Sequence, residues 1–392
     1  MKVRTGLDVI AGRGFGLVRG QRVGLLAHQA SVDHELRHVV DLLIQEELDL
    51  RVIFGPEHGL SGAAQDMRAV GDASESSIPV ISLYGNDAAS LVPAREHITD
   101  LDVLVVDLQD VGCRYYTYAA TMLYCMKACA AVGVRVVVLD RPNPLNGVSI
   151  EGPGLDERFR SFVGEYSVPV RHGLTIGELA RLAASDLPGL DLLVVEMEGW
   201  HRRMWFDQTG LPWVMPSPNM PALTSASVYP GSCLVEATNV SEGRGTTRPF
   251  EILGAPWLHE GELVKALERQ GIRGVAFRRL EFVPAFGKHA GQTCHGIQVH
   301  VLDRNVFEPF RFGFSFLEAA RQVAPDAFEW RSEPYEFVSD VLAIDLLCGG
   351  PEVRTLLEQG GSAEYMLERW REQAVEFSSR RKDVLLYDEE AA

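Results

Sequence analysis

Between residues 21 and 196 the chain repeats one arrangement. A short, β-branched and almost wholly apolar run ends on a polar or Gly/Pro-rich stop, and a segment with apolar residues at helical spacing follows. Apolar runs without alternation are buried on both faces, which is the mark of parallel strands, and the amphipathic segments between them are their crossover helices. The pattern predicts strands at QRVGLLA (21–27), LDLRVIFG (48–55), SIPVISLYG (77–85), LDVLVVDLQ (101–109), VRVVVL (134–139) and Leu192–Glu196. Helices are expected from about Ser31, read as the cap, to Glu47; up to about Ala131; and over TIGELARLAAS, opened by a Thr175–Glu178 capping box. Three prolines in Met215–Pro221 forbid regular structure and mark a boundary. Residues 1–222 thus form an α/β, Rossmann-like parallel-sheet domain. Residues 223–392 form a smaller α+β domain, with helices near 261–270 and 313–322, strands VAFRRLEFVP and CHGIQVHVLD, and an amphipathic last helix.

In an open parallel sheet, ligands bind beyond the carboxyl ends of the strands. Four strand ends here carry polar groups: His28; Glu57 with His58; Asp110 with Arg114 and Tyr116; and Asp140 with Arg141 and Asn143. Pro56, Gly55 and Gly59 predict a tight turn that holds Glu57 rigidly in a poorly solvated place, which suits a general acid. Tyr faces and an Arg fork are how proteins hold sugar rings and carboxylates, so Arg114 and Tyr116 are read as ligand contacts. His172 precedes a helix beside Arg171, and Ser217 and Asn219 lie in the stiff interdomain segment. A second polar stretch, residues 229–248, crowds Glu236, Asn239, Glu242 and Arg244 around Gly243 and Gly245. Asp66 and Asp72 read as ordinary loop residues and Lys288 as solvated.

Composition narrows the chemistry. A formal net charge of -17 argues against nucleic acid or an anionic membrane as partner. GRGFG precedes the first strand instead of following it, and GxxxxGK[ST] does not occur, so neither a dinucleotide nor a P-loop phosphate site is supported. The six cysteines form no CxxC pair and sit mostly in apolar runs, as buried thiols of a reducing compartment do; no zinc site is suggested. The N-terminal residues have no unbroken apolar core, so a signal peptide is not expected and the cytoplasm is the expected location.

With these residues in view, the chain resembles the exo-β-N-acetylmuramidase family NamZ, formerly a domain of unknown function, from about Arg22 to about Tyr387. The resemblance rests on GPEHG (55–59), LVVDLQDVGCRYYTY (104–118), LDRPNPLNG (139–147), RHGLTIGELA (171–180), PSPNMP (216–221) and TNVSEGRGTTRPFE (238–251), in that order. It implies a Rossmann-like catalytic domain, a smaller auxiliary domain and an active site in the cleft between them. It also implies hydrolysis of β-1,4-linked N-acetylmuramic acid from the non-reducing ends of peptidoglycan fragments, without cofactor or metal, in cell-wall recycling. The family's proposed catalytic glutamate matches Glu57. The second group stays open among Asp110, Glu236 and Glu242, or a substrate acetamido group oriented by Asp110, His172 or Tyr116. Arg114 or Arg244 would read the lactyl carboxylate. Two rivals remain at this point: a metal-dependent hydrolase built on His58, Asp110, Asp140 and His172, and a non-catalytic muropeptide-binding module.

Overall fold

A computed structural model describes residues 2–75 and 77–390. The predicted apolar runs form one seven-stranded sheet from β1 (Arg22–Ala27), β2 (Asp49–Gly55), β3 (Ala73–Glu75), β4 (Ile78–Ser82), β5 (Val103–Asp107), β6 (Arg135–Leu139) and β7 (Leu192–Val195). Their order is β3-β4-β2-β1-β5-β6-β7. Every pairing is parallel except that of the short edge strand β3 with β4. From β1 the chain builds outward through β2 to β4, then returns to the other side of β1 with β5. That reversal puts the crevice of a doubly wound sheet at the carboxyl ends of β1, β2 and β5.

Alternation within single strands explains why the sheet is covered on both sides. Val103 and Val105 of β5 face a layer with Leu7, Ile10, Val40 and Leu43 from helices Gly6–Gly12 and Val39–Gln45. Leu104 and Val106 face the opposite layer, with Met122, Met126 and Leu179 from helices Tyr118–Ala130 and Ile176–Ala184. Each such side chain, fully buried, contributes about 1.5–3 kcal/mol. The second layer runs without interruption into the C-terminal region. There β8 (Ile252–Ala255), β9 (Val275–Phe282) and β10 (Cys294–Val301) form an antiparallel sheet ordered β8-β10-β9. Helices Leu223–Ser232 and Pro309–Val323 cross with backbones in contact, since a Cβ on Gly231 would lie 1.8 Å from the Pro309 carbonyl oxygen.

Three local expectations are corrected. Ser31 caps no helix: its hydroxyl donates to the Asp107 carbonyl and accepts from His28 N–H. The following helix starts at Val39, where the His38 ring accepts from Val40 N–H at 3.3 Å. Lys288 is drawn inward, donating to the carbonyls of Val235, Glu236 and Val240 at 3.0–3.2 Å and pairing with Glu242 at 3.0 Å.

The last helix, Ala363–Arg380, leads into a terminal segment that returns to the N-terminal sheet. Arg381 donates to the His172 and Gly173 carbonyls at 3.0 and 3.2 Å, and Leu386 N–H donates to Glu178 Oε1 at 2.9 Å. The Tyr387 hydroxyl donates to Asp140 Oδ2 at 2.6 Å and accepts from Met197 N–H at 2.9 Å. Tyr387→Phe is expected to destabilise the protein by about 1–3 kcal/mol, because a partly buried N–H loses its acceptor and Asp140 loses a donor. Urea denaturation of the two proteins measures it, and an unchanged midpoint would contradict the role given to this hydroxyl.

Candidate active site

Beyond the end of β2 the chain turns sharply. Gly59 N–H donates to the Pro56 carbonyl at 2.9 Å, and His58 stands at φ 71°, a left-handed conformation uncommon for a side chain of its size. The His58 ring is held by the Ala64 carbonyl at 2.8 Å. This turn presents Glu57, 5% exposed, to a cavity between the sheet edge and the C-terminal region. Thr117, from the polar end of β5, donates its hydroxyl to Glu57 Oε2 at 2.7 Å, and Met67 N–H approaches Oε1 at 3.3 Å.

Aromatic rings form one wall. Tyr116 meets Tyr229 edge to face at 5.8 Å, and Tyr229 meets Phe250 at 4.8 Å. The Tyr116 hydroxyl is buried, approached by Ser217 but, among the described residues, without a well-formed hydrogen bond. Ser217 is positioned through its neighbour, since His28 and Tyr118 both bind the Pro216 carbonyl, at 3.2 and 2.6 Å. Burial lowers the His28 pKa to about 3, so the ring is neutral, donating through Nδ1 and accepting Gln109 N–H on Nε2.

The opposite wall carries charge. Arg244 Nη2 meets Glu236 Oε1 at 2.6 Å, Nη1 meets Asp66 at 3.3 Å, and Nε meets Glu242 at 3.4 Å. The guanidinium also lies over the Phe250 ring at 5.0 Å. The second oxygen of Glu236 accepts from the Tyr335 hydroxyl at 2.7 Å. Burial opposes ionisation of Glu242, but Lys288 at 3.0 Å and Arg244 outweigh it and hold its carboxyl below the usual range.

Next to Tyr335, Glu336 and Phe337 have φ of 47° and 66°, while Tyr335 and Val338 exchange both backbone hydrogen bonds at 2.9 Å. This is a two-residue hairpin with both central positions left-handed, a conformation normally taken by Asn-Gly. With Glu and Phe it costs about 1–2 kcal/mol per residue. The turn is held by Tyr84, whose hydroxyl donates to Glu336 Oε2 at 2.8 Å and whose ring meets Phe337 edge-on at 5.3 Å. It brings Glu336, 6% exposed, to the cavity wall.

Of the residues singled out from the sequence, Glu57, His58, Tyr116, Ser217, Glu236 and Arg244 line this cavity, and Glu242 supports Arg244 from behind. Asp110 is buried just outside the lining. Gly112 N–H donates to its Oδ2 at 2.6 Å, no partner reaches Oδ1 among the described residues, and burial pushes its pKa up to about 7. Asn219 donates to Gln65 Oε1 at 2.8 Å and so fastens the loop after Glu57.

The remaining candidates are structural where the structure places them. Arg114 is buried and donates to the carbonyls of Pro153, Val168 and Leu347 at 2.8–2.9 Å, which leaves no fork for a ligand. Asp140 accepts from Arg141 N–H, Gly177 N–H and the Thr175 hydroxyl at 2.8–2.9 Å, anchoring a helix start. Arg141 forms a two-pronged pair with Asp107 at 2.5 and 2.8 Å. Asn143 bridges the Leu174 carbonyl and Leu145 N–H, and the buried His172 ring accepts from Leu174 N–H at 3.0 Å. Asn239 binds the Ala327 carbonyl at 2.8 Å and Glu329 N–H at 3.1 Å.

His58, Asp110, Asp140 and His172 do not gather into one ligand set. Among the described residues, the groups of three ligand-type side chains within 4.8 Å of one another are Asp8–Asp33–His34 and Glu260–Glu281–His295. Asp66, read from the sequence as an ordinary loop residue, instead pairs with Arg244 at the cavity, and sequence reasoning passed over Thr117, Tyr229, Tyr335 and Glu336 there. Thr117 and Tyr229 lay within polar stretches already singled out; Asp66, Tyr335 and Glu336 had no local signal.

Residues 23–224 match the family described as Exo-beta-N-acetylmuramidase NamZ, N-terminal, and residues 227–387 match its C-terminal counterpart. The chain belongs to the NamZ family. Its relatives include the peptidoglycan beta-N-acetylmuramidase NamZ of Bacillus subtilis, 42% identical over 390 residues, covering 98% of this chain and 92% of that protein. Crystal structures of two DUF1343 family proteins from Bacteroides fragilis share the NamZ fold seen here. One has a TM-score of 0.88 at 32% identity over 99% of both chains, and the other 0.76 at 28% over 100% of both.

In this NamZ-family cavity, removing the buried guanidinium would leave Asp66 without its ion pair and Glu236 and Glu242 with only Tyr335 and Lys288 to balance them. Arg244→Met is therefore expected to lower stability by about 3–5 kcal/mol at neutral pH. The loss should narrow toward about pH 4, where protonation relieves the unpaired carboxylates. Denaturant titrations at both pH values check this; a loss that does not depend on pH would mean that packing, not charge, is what Arg244 supplies.

Proposed function

We propose that this protein is an exo-acting β-N-acetylmuramidase that releases N-acetylmuramic acid from the non-reducing ends of peptidoglycan fragments. The observation that carries the reading is the meeting of buried carboxyl groups from two parts of the chain, Glu57 and Glu336, across a tyrosine-walled cavity at the sheet's crevice. Hydrolysis of a glycosidic bond needs that combination: one group to protonate the departing oxygen, another to stabilise or trap the oxocarbenium-like centre, and flat faces for the sugar ring. Glu57 is a catalytic carboxyl in this reading. Asp110 lies outside the lining, and Tyr116 offers the substrate a buried hydroxyl that lacks a well-formed hydrogen bond among the described residues.

Of the residues lining the cavity, Arg244 is the one with a permanent positive charge. Its contact with Asp66, 29% exposed, is the one a lactyl carboxylate would replace, because Glu236 and Glu242 are each held by a second donor. The net charge of -17 supports the absence of nucleic acid among the partners. Among the described residues no helix is long and apolar enough to cross a membrane. A cytoplasmic site of action, on recycled muropeptide fragments, is part of the proposal, supported by six buried and unpaired cysteines.

A chromogenic N-acetylmuramide is expected to be hydrolysed, and the matching N-acetylglucosaminide, which lacks the lactyl group, much more slowly. Glu57→Gln should leave a folded protein with turnover lower by about a hundredfold or more. Tight binding of the muramide with no turnover by the wild-type protein would make it a binding module and end the enzymatic reading.

A further inference from the structure

Two carboxyl groups that share a cavity divide their protons according to their surroundings. Glu57 has a donor on each oxygen, the Thr117 hydroxyl at 2.7 Å and Met67 N–H at 3.3 Å. Among the described residues Glu336 has one, the Tyr84 hydroxyl at 2.8 Å. The cavity's guanidinium does not reach it, being directed at Asp66, Glu236 and Glu242. Burial first, then the charge of Glu57, and after it those of Glu236 and Asp66, drive the Glu336 carboxyl well above the usual carboxylate range against the pull of Tyr84. The left-handed pair Glu336–Phe337 shows that the backbone adopts an unfavourable conformation where this side chain meets the cavity.

We propose that Glu336 is the proton donor of the reaction and Glu57 the opposing carboxylate. The assignment rests on the glycosidase reading and reverses the role expected of Glu57 from its sequence context. In the step, the Glu336 O–H proton passes to the glycosidic oxygen as the C1–O bond breaks, and the bonding pair leaves with that oxygen. Glu57 faces the positive charge developing at C1. One water is consumed: its hydroxyl oxygen ends on C1 and its remaining proton restores the acid. Tyr84 is a positioning residue, because it touches Glu336 and not the sugar.

The leaving group separates this role from a structural one. A sugar hydroxyl needs a proton to depart, whereas 4-nitrophenolate departs without one. Glu336→Gln, the uncharged isostere of the protonated acid, should lose about a hundredfold or more on a disaccharide with N-acetylmuramic acid at its non-reducing end, and less than about tenfold on 4-nitrophenyl N-acetylmuramide. It should also lose the decline in activity that the wild-type enzyme shows as pH rises through the pKa of its acid. Equal losses on the two substrates would overturn the assignment and leave the glycosidase reading standing. A wild-type protein that cleaves neither muramide would fail the glycosidase reading itself, and this proposal with it. Should Glu336→Gln not fold, as judged by circular dichroism, Tyr84→Phe decides. Without the hydroxyl the acid holds its proton more tightly, so the alkaline limb of the pH profile should move upward while the acid plateau stays within a few fold. An unmoved limb would remove Glu336 from the role.

Discussion

The site depends on one constraint: several carboxyl groups, most of them buried, crowd around one cavity whose lining, among the described residues, holds a single guanidinium. Like charges at such distances cannot all ionise in a low-dielectric space, so the cavity must sort them. Arg244 does the sorting. By engaging Asp66, Glu236 and Glu242 it makes three carboxylates tolerable and fixes their positions. The carboxyls beyond its reach, Glu57 and Glu336, are the pair that the proposed reaction uses. The same ion cluster ties the loop after β2 to the glycine-rich stretch of the C-terminal region, so the charge balance and the shape of the cleft are one arrangement.

Much of the scaffold was readable from residues alone because a parallel sheet writes itself plainly. VLVVD and RVVVL have no other use for so many β-branched side chains than burial on both faces. The carboxyl edge of that sheet followed from the polar stops that end the apolar runs, and Glu57 followed from Gly-Pro at one of them. Which way a side chain points from that edge is another matter. Arg114, Asp140, Arg141, Asn143 and His172 all stand at or near the expected rim, yet each turns toward backbone groups of neighbouring loops or, for Arg141, toward Asp107. Loops packed over a sheet edge carry many unpaired carbonyls and N–H groups, and polar side chains of the rim are what satisfy them.

Glu336 was hidden for a different reason. Tight two-residue hairpins normally announce themselves through Asn or Gly, because those residues enter the left-handed region at little cost. Glu-Phe does not, so EPYEF reads as featureless. The turn exists because tertiary contacts outweigh local preference: Tyr84 binds both the carboxyl and the ring that follows it. Residues brought to a site against their own propensity are invisible to a reading built on propensity, and they concentrate where a fold has a task to perform.

The returning end of the chain bears on how such a protein can be made. Asp140 is buried at the end of β6 and Glu178 sits in the capping box of the helix beside it, yet both take a donor from the last dozen residues described, through Tyr387 and Leu386. Residues up to 387 must therefore have left the ribosome before the first sheet acquires its full set of partners. The two family segments adjoin in sequence as though separable, but a fragment cut between them would have a gap in its polar network that only the far terminus can fill.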